Sequence, residues 1–288
     1  MYNEENVTSL KANLGSLAKV IDEFGAEMAG TGRALNVVEQ YYNTHLKRVR
    51  TNLEGIDQLF DSYIVNPILI LPIAHVMRSM LTDFLTAYYL YTYYDHNDED
   101  HTSFENELKL LDRDAYRSVL EWMKVEEDLH RYNEHLPAIS EEDIEARETF
   151  YREYFSDILN EDSSIKNTTS IRETSAAKFF IEGEQLNQPH RIVSERYKID
   201  RLKRMDYFQM LDGYMLYKYF SQFYHESKLF TILISDATAN DNFNLLKWGF
   251  IPVYHMTDNA FRIFLNGNNK FSNRLSELKT ELEAIENN

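Results

Sequence analysis

From Val193 to Ile234 the chain runs without a proline and with a single glycine, Gly213. A stretch of about 40 residues lacking both breakers has few ways to fold except as helix, and it is far longer than the usual three or four turns. Turn residues are scarce throughout. Nine Gly and five Pro among 288 residues supply too little turn chemistry for an all-β or an alternating βα design. Hydrophobic side chains make up 43% of the chain, enough to bury a core as one large domain or two small ones. The expected fold class is therefore all-α, a multi-helix bundle of long helices.

Periodicity fills in the order. Leu10, Leu14, Leu17 and Ile21 recur at three or four residues and predict a helix over 5–29. Gly30-Thr31-Gly32 interrupts it, as a turn or a kink, and the pattern resumes over 33–60. Asn66-Pro67 is a helix start signal for a segment reaching about Asp95. Further helices are expected over 102–130, from a Ser140 cap through Leu159, from a Ser170 cap to about Gly183, and over 193–234. The remainder reads as helices over 240–250, ending near Gly249, then 252–265 and 271–286. This order suggests an N-terminal helical arm over 1–60 and a helical bundle domain over 61–288, forming one continuous structural unit.

Charge and cysteine narrow the setting. The chain has no Cys, which removes disulfides, thiolate metal sites and cysteine nucleophiles, and its polar N-terminus reads as no signal peptide. A cytoplasmic protein is expected. The net charge of -17 is uneven: residues 95–161 hold 21 acidic and 7 basic side chains, the rest 26 and 23. The acidic block invites a basic protein partner, and outside it the chain is nearly neutral. Two short basic stretches, Arg191–Arg204 and His45–Arg50, read as solvated helix faces or as phosphate footprints.

Two apolar, tyrosine-rich segments carry ionisable groups that need partners or a task. Residues 67–91 hold His75, Arg78 and Asp83; residues 214–234 hold Ser221 and His225. Those charges also argue that residues 67–95 do not span a membrane. Ser221 and His225 stand at i,i+4 with Tyr217 one turn earlier, so the three share a helix face. If the two segments pack together, Arg78 joins them in a phosphate-binding constellation. An Arg stabilises developing negative charge and a His moves a proton. The rival reading is a core ion pair of Arg78 with Asp83 or another acid. The run Tyr88–Tyr94 places tyrosines all round a helix, for core-boundary packing or for a homodimer interface. Glu127-Asp-Leu-His130 stands alone, without the second copy a di-iron bundle needs, so no metal and no cofactor is expected.

At Arg78-Ser79 with Asp83, and at Tyr217-Lys-Tyr-Phe-Ser221-Gln-Phe-Tyr-His225, the chain resembles a group of uncharacterised bacterial helical proteins. That group is similar in outline to the HEPN superfamily. The resemblance covers roughly residues 66–96 and 195–236. It implies a HEPN-like helical core, a dimer with a composite site, and action on RNA or nucleotides in bacterial defence or toxin–antitoxin systems. On that reading the chain is a metal-independent ribonuclease. The family's Arg-x(4–6)-His signature does not occur on the Ser221–His225 helix, and we infer that Arg78 supplies the phosphate-binding arginine from another helix, with His225 as acid and base and Ser221 and Tyr217 orienting them. The alternative is a non-enzymatic interaction module that homodimerises and binds a protein through its acidic 95–161 segment.

Overall fold

The computed structural model describes residues 2–95, 99–133, 135–167, 170–171, 193–207, 210–224, 232, 239–265 and 269–285. Among them are nine α-helices and no strand, so the fold is all-α. The helices are α1 (Glu4–Gly30), α2 (Val37–Val65), α3 (Ile70–Tyr91), α4 (Thr102–Tyr132), α5 (Glu141–Tyr154), α6 (Glu195–Arg204), α7 (Leu211–Ser221), α8 (Ala239–Leu265) and α9 (Lys270–Ala284). None of the described helices is long and apolar enough to cross a membrane. The expected helix from Ser170 to Gly183 lies, beyond Ser170 and Ile171, outside the described residues.

The chain divides into two compact units. One joins Met1–Thr92 to Lys198–Asn288; the other is Tyr93–Tyr197, inserted between them. This line differs from a boundary near residue 60, because α1 and α2 belong to the same unit as α3.

In the discontinuous unit α1 and α2 form a hairpin. Gly32, at φ +63, supplies the left-handed residue of the turn between them. Asn36 caps α2 in a capping box with Glu39, and the buried Glu39 carboxylate is gripped by Arg33 at 2.5 and 2.7 Å. Helix α3 is apolar on nearly every side because α2, α7 and α8 all pack against it. Its Tyr88 and Tyr89 are buried within this one chain. A buried polar node ties the outer helices together: Tyr254 of α8 donates to Asn13 of α1 at 2.7 Å, and Asn13 donates to the Leu278 carbonyl of α9 at 2.8 Å.

Two expectations are corrected. The stretch from Val193 does not continue as one helix, since α6 ends at Arg204 and α7 begins at Leu211. Asp206 adopts φ +60, and the Tyr207 and Asp206 amides return to the Leu202 and Lys203 carbonyls, which is a Schellman closure with Asp in the usual glycine place. Conversely, Gly249 and Pro252 do not divide the last core helix, and α8 runs through both. Gly249 is there for close approach: a Cβ would lie 2.7 Å from Met77 and 3.3 Å from Phe220. Gly213 of α7 works the same way, since a Cβ would meet the Phe84 ring at 2.3 Å.

The inserted unit has its own small core of Phe104, Leu110, Tyr116, Met123 and Ile158. Tyr116 meets Phe155 with ring centroids 5.0 Å apart, and Arg147 of α5 reaches Glu126 of α4 at 2.6 Å. Ser140 caps α5, which buries none of its residues.

Candidate functional site

Arg78 lies on the side of α3 that faces α7, half-buried at the seam between the two helices. Its Nε donates to Ser221 Oγ at 3.1 Å, although 143 residues separate the two in sequence. Ser221 Oγ in turn donates to the Tyr217 carbonyl at 2.7 Å, one turn back along α7. The hydroxyl therefore has its direction fixed, proton toward the helix and lone pair toward the arginine. The guanidinium carbon lies 5.7 Å from the centroid of the Tyr217 ring. Lys218 holds its ammonium 5.6 Å from the same ring and 5.3 Å from that of Tyr214. The two tyrosine rings are nearly parallel, with centroids 6.0 Å apart. The seam thus holds two nearly parallel rings, Tyr217 buried and Tyr214 half-buried, with a cation from each helix against Tyr217.

Of the residues singled out from the sequence, Arg78, Ser221 and Tyr217 meet directly. His225 lies outside the described residues. The sequence reading misses Lys218 and Tyr214 as a pair of cation and platform, although they stand at i,i+4 and Tyr214 stands at i,i+3 from Tyr217.

Asp83 does not serve Arg78. Its carboxylate takes Arg48 of α2 at 2.8 Å, and Arg48 is 59% exposed. Burial holds the Asp83 carboxyl above its ordinary range, with Arg48 opposing the shift. Tyr41, His45 and Arg48 follow one another along one face of α2, a spacing of four then three residues. His45 is enclosed, and its pKa is pushed down to about 4, first by burial and then by the Arg48 charge. Within the His45–Arg50 stretch His45 is buried while Lys47 and Arg48 are exposed, so only part of it is a solvated face. Arg48 is spent on Asp83, and Arg50 on Asp22 at 2.8 Å and Glu54 at 3.3 Å.

In the Arg191–Arg204 stretch Arg196 and Arg204 are exposed, as a solvated face requires, but two other cations are not. Lys198 and Arg201 are buried, not solvated. Lys198 donates to Thr86 at 2.8 Å and Arg201 to Thr92 at 3.2 Å, which fastens α6 to the end of α3. Thr86 and Thr82 return their own hydroxyls to the carbonyls of Thr82 and Arg78, so a polar strip runs along α3 from the arginine to the lysine.

Among the described residues no group of three His, Asp or Glu side chains is placed to hold a metal ion. His130, of the Glu-x-x-His sequence, instead meets the Pro137 carbonyl at 2.6 Å. Comparison with family models, with curated proteins and with solved structures finds no match for this chain.

Proposed function

We propose that this chain is a HEPN-like helical protein that binds RNA or a nucleotide at the α3–α7 seam and acts on it there. The observation that carries the reading is the convergence of Arg78 and Lys218 on the Tyr217 ring. Aromatic faces interleaved with cations are what a single-stranded nucleic acid needs, bases stacking on the rings and phosphates meeting the charges. Arg78 is the phosphate-binding group of the site, held in register by Ser221. His225, on the same face of the sequence pattern as Ser221 and Tyr217, supplies and removes the proton in a metal-independent cleavage. The absence of cysteine suits a reducing cytoplasm, and a defence or toxin–antitoxin role follows from the resemblance alone.

Purified protein is titrated with labelled single-stranded RNA at low salt, followed by anisotropy and by a cleavage gel. Arg78→Ala is expected to weaken binding about tenfold and abolish cleavage; Lys218→Ala is expected to weaken binding and flatten the salt dependence. Because Arg78 braces two helices, Ser221→Ala serves as the stability control: it removes the brace and keeps the charge. Equal RNA binding by the native protein and a folded Arg78→Ala variant would sink the proposal.

A second reading rests on a different observation. In the inserted unit, Trp122, Val125, Leu129 and Tyr132 form an exposed line along α4. That line suits the interaction-module alternative, in which the acidic segment engages a basic partner. The homodimer part of that alternative draws no support from Tyr88 and Tyr89, whose cover comes from their own chain.

A further inference from the structure

At the turn end of the α1–α2 hairpin the two helices enclose a cavity of about 430 Å³, within the usual range of small-ligand sites. Phe24 and Met28 of α1, Leu35 of the turn, Leu46 of α2 and Phe264 of α8 give it an apolar lining. The rings of Phe24 and Phe264 meet edge to face, with centroids 5.3 Å apart. The lip is held in place, because Arg33 on the turn is clamped on Glu39 and Glu39 closes the capping box of α2. Gly25 of α1 lines the same space, and a Cβ added to it meets nothing within 4 Å. Neither a left-handed backbone nor a close neighbour calls for glycine at this helical position, and glycine is unfavourable inside a helix. Its effect here is to leave the cavity unfilled.

The polar groups of the rim divide into matched and unmatched. Arg33 is taken by Glu39, and Arg50 by Asp22 at 2.8 Å and Glu54 at 3.3 Å. Two arginines thus face three carboxylates, and their charge is used. Lys47 and Asn43 differ. They stand at i,i+4 on the side of α2 that lines the cavity. Lys47 is exposed and Asn43 half-buried, and neither side chain has a hydrogen-bond or ion-pair partner among the described residues. An ammonium and an amide one turn apart can both donate to one anionic head. Counted with its partners the rim is neutral, so attraction for an anion is local to Lys47 and suits a single negative charge.

We propose that this cavity binds an apolar monocarboxylate of the medium-chain fatty acid class. Its tail lies against Phe24, Leu46 and Phe264, and its carboxylate sits at the rim between Lys47 and Asn43. Burial of the chain supplies the affinity, and the Lys47–Asn43 pair fixes which end points outward. A nucleotide carries more charge than one ammonium matches, and its base would lose hydrogen bonds against the apolar lining. The cavity shares no residue with the α3–α7 seam, so this assignment does not rest on the nucleic-acid reading.

Decanoate, titrated into the purified chain below its critical micelle concentration and followed by calorimetry, is expected to bind saturably at one site. A negative heat-capacity change should mark the apolar burial. Gly25→Leu should fill the cavity and weaken binding at least tenfold. Gly15→Leu, at an equally open glycine of α1 outside the cavity, should leave binding unchanged. Lys47→Glu should weaken it at least tenfold, and decanol should bind at least tenfold more weakly than decanoate. All three variants change exposed positions, so their circular dichroism should match the native protein. No saturable binding, or binding indifferent to both Gly25→Leu and Lys47→Glu, overturns the proposal. Equal binding of decanol overturns the part given to Lys47 and Asn43, and an equal loss in Gly15→Leu overturns the cavity as the place of binding.

Discussion

His45 shows how a single residue sets a property of the whole protein. It sits on α2 with its ring enclosed, and its Nε2 has no hydrogen-bond partner among the described residues. Burial and the nearby Arg48 charge lower its pKa to about 4, from an ordinary value of 6.5. The unfolded chain therefore takes up a proton at higher pH than the folded one. Stability contributed by the neutral ring is present above pH 6.5 and is lost as pH falls toward 4, by on the order of 3 kcal/mol in the limit. Asp83 works in the opposite sense: its carboxyl, raised by burial, keeps its proton longer in the folded state, so its contribution falls as pH rises above 3.8. Urea melts of the native protein and of His45→Gln at pH 7, 5.5 and 4.5 separate the two. The stability advantage of native over variant is expected to shrink steadily on acidification. A difference independent of pH would remove His45 from the account.

At the scale of elements, the exposed line on α4 has the spacing of a coiled-coil seam. Trp122, Val125, Leu129 and Tyr132 are separated by three, four and three residues, and they are 52%, 66%, 55% and 79% exposed. The positions flanking this seam are Glu121, Glu126 and Asp128, and residues 121–161 hold thirteen acids against four bases. Two copies of such a seam would set like charges opposite each other, whereas a basic amphipathic helix would be matched at Glu121 and Asp128, Glu126 being held by Arg147. A designed peptide with Leu at its seam positions and Lys at its flanks is expected to bind the purified protein. Trp122→Glu with Leu129→Glu should weaken it at least tenfold, and a Glu-flanked version of the peptide should not bind. Equal binding of both peptides would remove the charge argument.

The same scale shows what the sequence carried and what it hid. Helices α1, α2, α4 and α5 were legible because their stripes repeat at helical spacing, and the start of α5 was marked by its Ser140 cap, whereas the Asn36 cap that begins α2 at Val37 and not at residue 33 went unread. The break at Asp206 was hidden, since aspartate reaches the left-handed region without announcing it as glycine would. At the site, Arg78, Tyr217 and Ser221 stood out because polar groups in apolar helices are costly and the last two share a face. The partner of Asp83 was not legible: nothing local in Arg48 distinguishes it from a solvated arginine, and only packing of α2 on α3 brings the two together.

The molecule as a whole is one helical unit interrupted by another, and the interruption carries the charge. Residues 95–161 alone account for 21 of the 47 acids. The two halves of the discontinuous unit close on themselves at the points where the insert leaves and returns: Lys198 bonds Thr86 at 2.8 Å and Arg201 bonds Thr92 at 3.2 Å, all four within that unit. A short flexible linker can therefore span the gap at little entropic cost, because closing a loop costs more only slowly with length. The core of this unit runs from Leu10 and Leu46 to Phe84, Phe220 and Phe261. A chain in which residues 95–195 are replaced by a Gly/Ser linker is expected to fold, to melt cooperatively, and to keep the partly exposed Trp248 environment in its fluorescence. If the α3–α7 seam binds RNA as proposed, the shortened chain should bind it more tightly at low salt, because the acidic block no longer repels the phosphates. Loss of cooperative melting would show that the unit depends on its insert for stability. Retained folding with unchanged RNA affinity would show that the acidic block exerts no field at the seam.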